Sequence, residues 1–137
     1  MARILSIDYG TRRTGLAVTD PLQIIATPLE GVLTHDLEAY LTHYFQKEDV
    51  EKVVVGWPTQ DDGSDSENAR HVQAFINRFK KLFPDKPVIL QDEYNTSNMA
   101  MQSMIQGGMK KKNRRNKINV DITSAVIILQ SYLSENT

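Results

Sequence analysis

The run Lys52-Val53-Val54-Val55-Gly56 constrains this chain most. Three consecutive β-branched residues favour an extended backbone, and a strand apolar on both sides of its pleat is covered on both faces. Around it the order of the other elements can be read. Arg3-Ile4-Leu5-Ser6-Ile7-Asp8 reads as a strand, and Gly15 to Thr19 as a second one, joined by a hairpin through Gly10-Thr14. A third is expected between Ile24 and Leu33, where Pro28 and Gly31 mark an edge. Thr34 then caps a helix whose apolar stripe is Leu37, Leu41, Tyr44 and Phe45. After the valine strand comes a polar turn from Thr59 to Ser66. A long helix follows, with Val72, Phe75, Ile76, Phe79, Leu82 and Phe83 inward and Pro84 as its stop. Pro87 to Gln91 reads as the fifth strand. Thr96 opens a further helix that ends at Gly107-Gly108, and Asp121 opens the last. Three strands on short connections suggest an antiparallel meander, and later strands alternating with helices suggest parallel additions. The expected fold is α/β: a mixed five-stranded sheet flanked by helices. With 137 residues and no internal repeat, residues 1–137 read as a single domain.

Composition narrows the chemistry. The chain has no cysteine, which excludes disulfides, thiolate nucleophiles, iron–sulfur clusters and cysteine zinc sites. A metal would therefore sit on oxygen or imidazole, and His35, His43 and His71 are not paired at ligand spacing. No run of about 18 apolar residues spans a membrane and no signal-peptide layout is present, so a cytoplasmic location is expected. The net charge of −1 conceals an asymmetry. Lys110, Lys111, Lys112, Arg114, Arg115 and Lys117 hold six of the sixteen basic residues within eight positions, leaving ten against seventeen acids elsewhere. An acidic body with one basic strip suggests a polyanionic partner. Such a run is otherwise a solvated loop. If all six cations neutralised phosphates, log K would fall with log salt at about −4 for a single strand or about −5 for a duplex.

Carboxylates come from separated segments. Asp8 ends the first strand, Asp92 and Glu93 leave the fifth, and Asp121 starts the final helix. Brought to one edge of the sheet they would repel unless a cation lay between them. Oxygen donors favour Mg²⁺ or Mn²⁺, which can promote hydrolysis of a phosphodiester. The competing reading makes the strand-end acids turn residues and Asp121 a helix cap. Strand parity puts Val88, Leu90 and Asp92 on one face and Ile89, Gln91 and Glu93 on the other, leaving open which acid is the ligand. Asp8-Tyr9-Gly10-Thr11-Arg12-Arg13-Thr14-Gly15 has the form D-x-G-T-x-x-x-G, found in two-metal nucleases and in actin-type ATPases. The ATPases close two such domains on a nucleotide, and this chain has length for one. Thr11, Arg12 and Arg13 are therefore candidates for contacts to phosphate. Trp57 reads equally as a stacking platform for a base or as a core residue.

Four stretches together resemble the YqgF (RuvX) family, bacterial pre-16S rRNA nucleases and Holliday-junction-resolvase-like proteins. They are Ile7–Gly15, Val54-Val55-Gly56-Trp57-Pro58, Gln91-Asp92-Glu93, and Val120 to Ala125 with Ile128 to Leu133. The resemblance implies an RNase H-like fold and divalent-metal nuclease chemistry at Asp8, Asp92, Glu93 and Asp121. It also implies a cytoplasmic role in maturing the 5′ end of 16S rRNA. The implied partners are precursor 16S rRNA, branched DNA or a pre-ribosomal particle, bound by a monomer or a homodimer. A junction resolvase acting on DNA and a non-catalytic RNA-binding module are the alternatives. Two positions depart from the family pattern: Trp57 stands where leucine is usual, and Tyr94 where an arginine usually follows the acidic pair. Arg12, Arg13 or the strip would then supply the missing grip.

Overall fold

The computed structural model describes residues 2–58, 68–92 and 117–135, with residues 92 and 117–121 described by backbone alone. Five strands form one sheet: β1 (Arg3–Asp8), β2 (Arg13–Thr19), β3 (Ala26–Leu33), β4 (Val50–Trp57) and β5 (Val88–Asp92). Their spatial order is β3-β2-β1-β4-β5. The first three pair antiparallel, and β4 and β5 add parallel to β1. This is the mixed sheet expected from the order of elements. A 3₁₀ turn (Thr34–Asp36) leads into α1 (Leu37–Lys47), while α2 (Ala69–Leu82) and α3 (Lys117–Glu135) follow β4 and β5 respectively. The expected helix from Thr96 and the polar turn from Thr59 to Ser66 lie outside the described residues. Among the described residues no helix is long and apolar enough to cross a membrane.

Strand alternation divides the core into two layers. Leu5, Ile7, Leu16, Val18, Val53 and Val55 face α1 and α2, where Leu37, Leu41, Val72, Phe75, Ile76 and Phe79 cover them. Ile4, Ala17 and Val54 face α3 and meet Ala125, Ile128, Leu129 and Tyr132. Val53, Val54 and Val55 are at most 1% exposed, so the valine run is covered on both sides as read. Leu82, expected inward, is 46% exposed. Phe83 takes its place, with its ring centroid 5.0 Å from those of Phe45 and Phe79.

At one point of the α3 layer the contact residues are small. Ser6 and Ala17 pair across β1 and β2, and Ala125 sits above them. The close approach lets the Ser6 hydroxyl donate 2.7 Å to the Ala125 carbonyl. From there the helix descends toward the starts of the strands. Tyr132 lies under the Lys52 ammonium, 5.6 Å from its ring centroid, and Lys52 pairs with Ile4. The last turn also reaches β5, where Gln91 Nε2 donates 3.2 Å to Glu135 Oε1. Residues preceding Ala125 therefore lead toward the opposite end, where β1, β4 and β5 finish.

The β2–β3 connection is held by one carboxylate. Asp20 accepts the backbone amides of Ile25 at 2.8 Å, Ile24 at 2.9 Å and Leu22 at 3.2 Å. Those amides, Ile25 and Ile24 foremost, hold its pKa below the ordinary carboxylate value. A lowered folded pKa means the contribution is complete above the ordinary value of about 3.9 and fades as pH drops through the lowered one. Amide NMR signals of Ile24 and Ile25 should therefore titrate with a midpoint under 3.9 or so. A midpoint at or above that value would show that the carboxylate does not organise the turn.

The Ser6 contact is limited by space more than by its hydrogen bond. Ser6→Ala should cost about 1 kcal/mol. Ser6→Val, which adds volume where α3 is closest, should cost about 1–3 kcal/mol. Urea denaturation checks the order, and equal costs would mean that α3 has room to move.

Candidate metal and nucleic-acid site

Asp8 is the last residue of β1, and its level in the sheet is a row that holds three glycines. It pairs with Gly15, and Gly15 pairs with Gly31. On the other side Ile7 pairs with Val55, so the register continued by one residue sets Asp8 level with Gly56, which pairs with Gln91. The row reads Gly31, Gly15, Asp8, Gly56, Gln91. Asp8 alternates with Ser6 and Ile4, which places it on the α3 face. Both immediate neighbours on that face are glycines, so neither contributes a side chain beside the carboxylate.

The other acids are placed relative to this row. Asp92 pairs with Trp57, one residue beyond Gly56, on the strand next but one to β1. With strands about 4.8 Å apart its backbone is roughly 10 Å from that of Asp8. Asp121 does not open the last helix: α3 begins at Lys117, so residue 121 is its fifth residue and cannot be the cap. It lies one turn, about 6 Å, before Ala125, on the helical row that continues through Ala125, Ile128 and Tyr132. It is thus on the Asp8 side of the Ser6 contact. Ser124, beside Ala125, has a buried hydroxyl without a hydrogen-bond partner among the described residues. Glu93 lies outside the described residues. Among those described, no three His, Cys, Asp or Glu side chains form a group able to hold a metal.

The cationic and aromatic candidates separate. Thr11 and Arg12 are exposed on the turn after β1. Arg13 opens β2, half-buried, and alternates with Gly15 onto Asp8's face. Trp57 is partly buried and packs against the core on the opposite face, with α1 and α2. Lys110, Lys111, Lys112, Arg114 and Arg115 lie outside the described residues, and Lys117 is the first residue of α3 instead of part of a loop.

Two residues that sequence reasoning missed hold the turn after Asp8. Thr34 was expected to cap α1, but neither the 3₁₀ turn nor α1 has a side-chain cap. Its hydroxyl donates 2.5 Å to the Gly10 carbonyl, its amide donates 2.8 Å to the Arg12 carbonyl, and Thr14 Oγ1 lies 2.9 Å away. A hydroxyl has one proton, so Thr14 is the donor in the last of these. Asn68, just before α2, donates its side-chain amide 3.2 Å to the Tyr9 carbonyl. The Tyr9 ring stacks on Phe75 at 4.7 Å. Gly10 closes the turn, since a Cβ there would run into the carbonyl oxygen of Arg13. No spacing rule signals Thr34 or Asn68, because their partners are 24 and 59 residues away. Thr34→Val should cost about 1–3 kcal/mol, and Thr34→Ser should recover most of it, because only the hydroxyl is at stake. Urea denaturation of both variants checks this, and a Thr34→Val variant as stable as wild type would remove Thr34 from the account.

Comparison with known proteins places this arrangement. The RuvX family, described as "Holliday junction resolvase", matches residues 2–135. A protein of Phocaeicola vulgatus named "Putative pre-16S rRNA nuclease" is 53% identical over 97% of this chain and 96% of its own length. One of the same name from Christiangramia forsetii is 53% identical over 98% of this chain and all of its own. Among solved structures, Thermus thermophilus RuvC in complex with Holliday junction substrate superposes with a TM-score of 0.55 at 15% identity. That match covers 99% of this chain and 96% of that one. The likeness is one of fold, the RNase H-like fold, whereas the sequence match over nearly every residue establishes that the chain belongs to the RuvX family.

Proposed function

We propose that the protein is a divalent-metal-dependent nuclease that hydrolyses phosphodiester bonds of RNA in the cytoplasm, in maturation of the 5′ end of precursor 16S rRNA. The observation that carries the reading is the setting of Asp8. A carboxylate ends the central strand between glycines, under a helix whose register the Ser6–Ala125 bond fixes. The names of the relatives supply the substrate class. Asp8, Asp121 and an acid of β5 would hold Mg²⁺ or Mn²⁺, and the all-oxygen character of this set suits those ions. Such an ion, when bound, activates water and stabilises the charge that grows on the phosphate. The net reaction adds water to phosphorus and breaks one bridging P–O bond, leaving a phosphate end and a hydroxyl end. Arg13, on Asp8's face, and Thr11 and Arg12 on the turn would contact phosphates, as would the strip from Lys110 to Lys117. Trp57, packed in the core on the far face, would support β4 more than it would stack on a base.

The described part of β5 bears on which acid is used. Ile89 packs into the α3 layer and Gln91 bonds to α3, so this alternate set shares Asp8's face. Asp92 falls in the other set, with Val88, which weighs against it as the metal ligand. The same chemistry on branched DNA is the second reading, favoured by the family's description as a Holliday junction resolvase. It would require paired cuts by a two-fold assembly.

The test is cleavage of precursor 16S rRNA and of a four-way DNA junction, each with Mg²⁺, with Mn²⁺ and with EDTA. Asp8→Asn should lower the rate by about 100-fold or more, the size of losing several kcal/mol of transition-state stabilisation, with binding retained. Glu93→Gln should cost more than Asp92→Asn. Cutting that persists in EDTA, or an Asp8→Asn variant as active as wild type, would overturn the metal-nuclease reading. Cutting of the junction alone would select the second.

A further inference from the structure

Helix α2 carries charge that the site above does not use. Its 14 residues include Arg70, Arg78, Lys80, Lys81 and His71, and no acid. All five of these side chains are exposed. The inward face is already satisfied by Val72, Phe75, Ile76 and Phe79, so core packing does not explain the outward composition. Helix electrostatics explains part of it: Lys80 and Lys81 lie in the last turn, where the dipole favours cations. Arg70 and His71 lie in the first turn, where it disfavours them. Arg78 is tied to Glu38 of α1, with Nη2 3.1 Å from Oε2. Arg70, Lys80 and Lys81 make no ion pair among the described residues.

The position of this face gives it meaning. The Asn68–Tyr9 bond and the Tyr9–Phe75 stack set the first turn of α2 in register with the turn that follows Asp8. From that edge the helix runs along the flank of the molecule. Arg70 and Lys81 are eleven residues apart on one outward row, about 17 Å along the axis. At about 3.4 Å per phosphate along one strand of a duplex, that distance spans roughly five phosphates. No Phe, Tyr or Trp lies on the outward face, so it lacks the platform on which single-stranded bases stack.

We propose that the outward face of α2 is a second phosphate-binding track, which seats a double-helical arm of the substrate nucleic acid leading away from the Asp8 edge. The inference rests on the nuclease reading, which supplies the nucleic acid.

The experiment measures binding by fluorescence anisotropy across a KCl series. The probes are an RNA hairpin with a single-stranded tail, a DNA hairpin of the same design and an unpaired RNA strand. The variants are Arg70→Gln/Lys80→Gln/Lys81→Gln, which leaves the Arg78–Glu38 pair intact, and Arg70→Glu alone. A third variant with the six strip cations changed to Gln is the comparison, and thermal melting confirms that each variant is folded. The triple variant should bind both hairpins more weakly, with a salt slope shallower by up to about 3, from about 0.9 per lost duplex contact. It should bind the unpaired strand as wild type does, and Arg70→Glu should move hairpin affinity in the same direction. Unchanged hairpin affinity and slope in both α2 variants, with wild type and the strip variant showing that hairpins are bound, would overturn the track and leave the nuclease reading standing. Equal losses on the unpaired strand, or losses confined to RNA or to DNA, would overturn the assignment to a duplex backbone. A wild-type protein that neither binds nor cuts any nucleic acid would overturn both.

Discussion

The hydroxyl of Ser6 and the carbonyl of Ala125 meet at 2.7 Å across 119 residues of chain. That contact requires small residues at the crossing, and Ser6, Ala17 and Ala125 provide them. Because α3 is rigid, fixing one of its carbonyls against β1 sets the height of its neighbouring turns. Two residues along β1 from Ser6 is Asp8, and one turn back along the helix from Ala125 is residue 121. The two steps are about 6–7 Å each, and both lead toward the end of the sheet where β1, β4 and β5 stop. A bulky residue at position 6 would lift the helix and alter both heights together. The heights of both positions thus follow from packing at Ser6 and Ala125.

Charge is arranged on the same plan. Acids gathered at the sheet edge, as proposed, would repel a polyanion as well as one another, so a substrate of phosphates would have to be held from elsewhere. The strip from Lys110 to Lys117 and helix α2 together contain ten of the sixteen Lys and Arg residues. The remainder of the chain is strongly acidic. The two groups belong to segments that flank β5 in the sequence, one before it and one after.

Legibility in the sequence followed the range of the interaction. Period-two and period-3.6 patterns are local, and they identified the five strands, α1 and α2. The valine run announced a strand covered on both sides, and β4 is that strand. Boundaries set by distant partners were not legible. Thr34 has the residue type of a helix cap, yet its hydroxyl goes to Gly10, because the turn after β1 needs an acceptor's partner more than the 3₁₀ turn needs a cap. Asp121 likewise has the type of a cap but lies inside α3, whose first turn carries no acid to mark its start. In the sequence Gly31 reads as the mark of an edge, Gly15 as the start of a strand and Gly56 as the end of the valine run. Only the register shows that all three share a level with Asp8 or its neighbour.

That shared level also bears on why a glycine row accompanies a carboxylate at this place in the fold. A Val or Ile at position 15 or 56 would have strengthened the strand by its own propensity and packed well against α3. It would also have put branched carbon at the level of Asp8, where the proposed hydrated cation would need room for water and for a phosphate oxygen. Glycine gives up strand stability at those positions. The buried valines of β4 and the α3 contact at Ser6 offset that loss, so the rigid part of the sheet carries the weak row at its rim. Stability is concentrated one or two residues below the carboxylate and space is left at its level, the division of labour that a site handling a bulky anion requires.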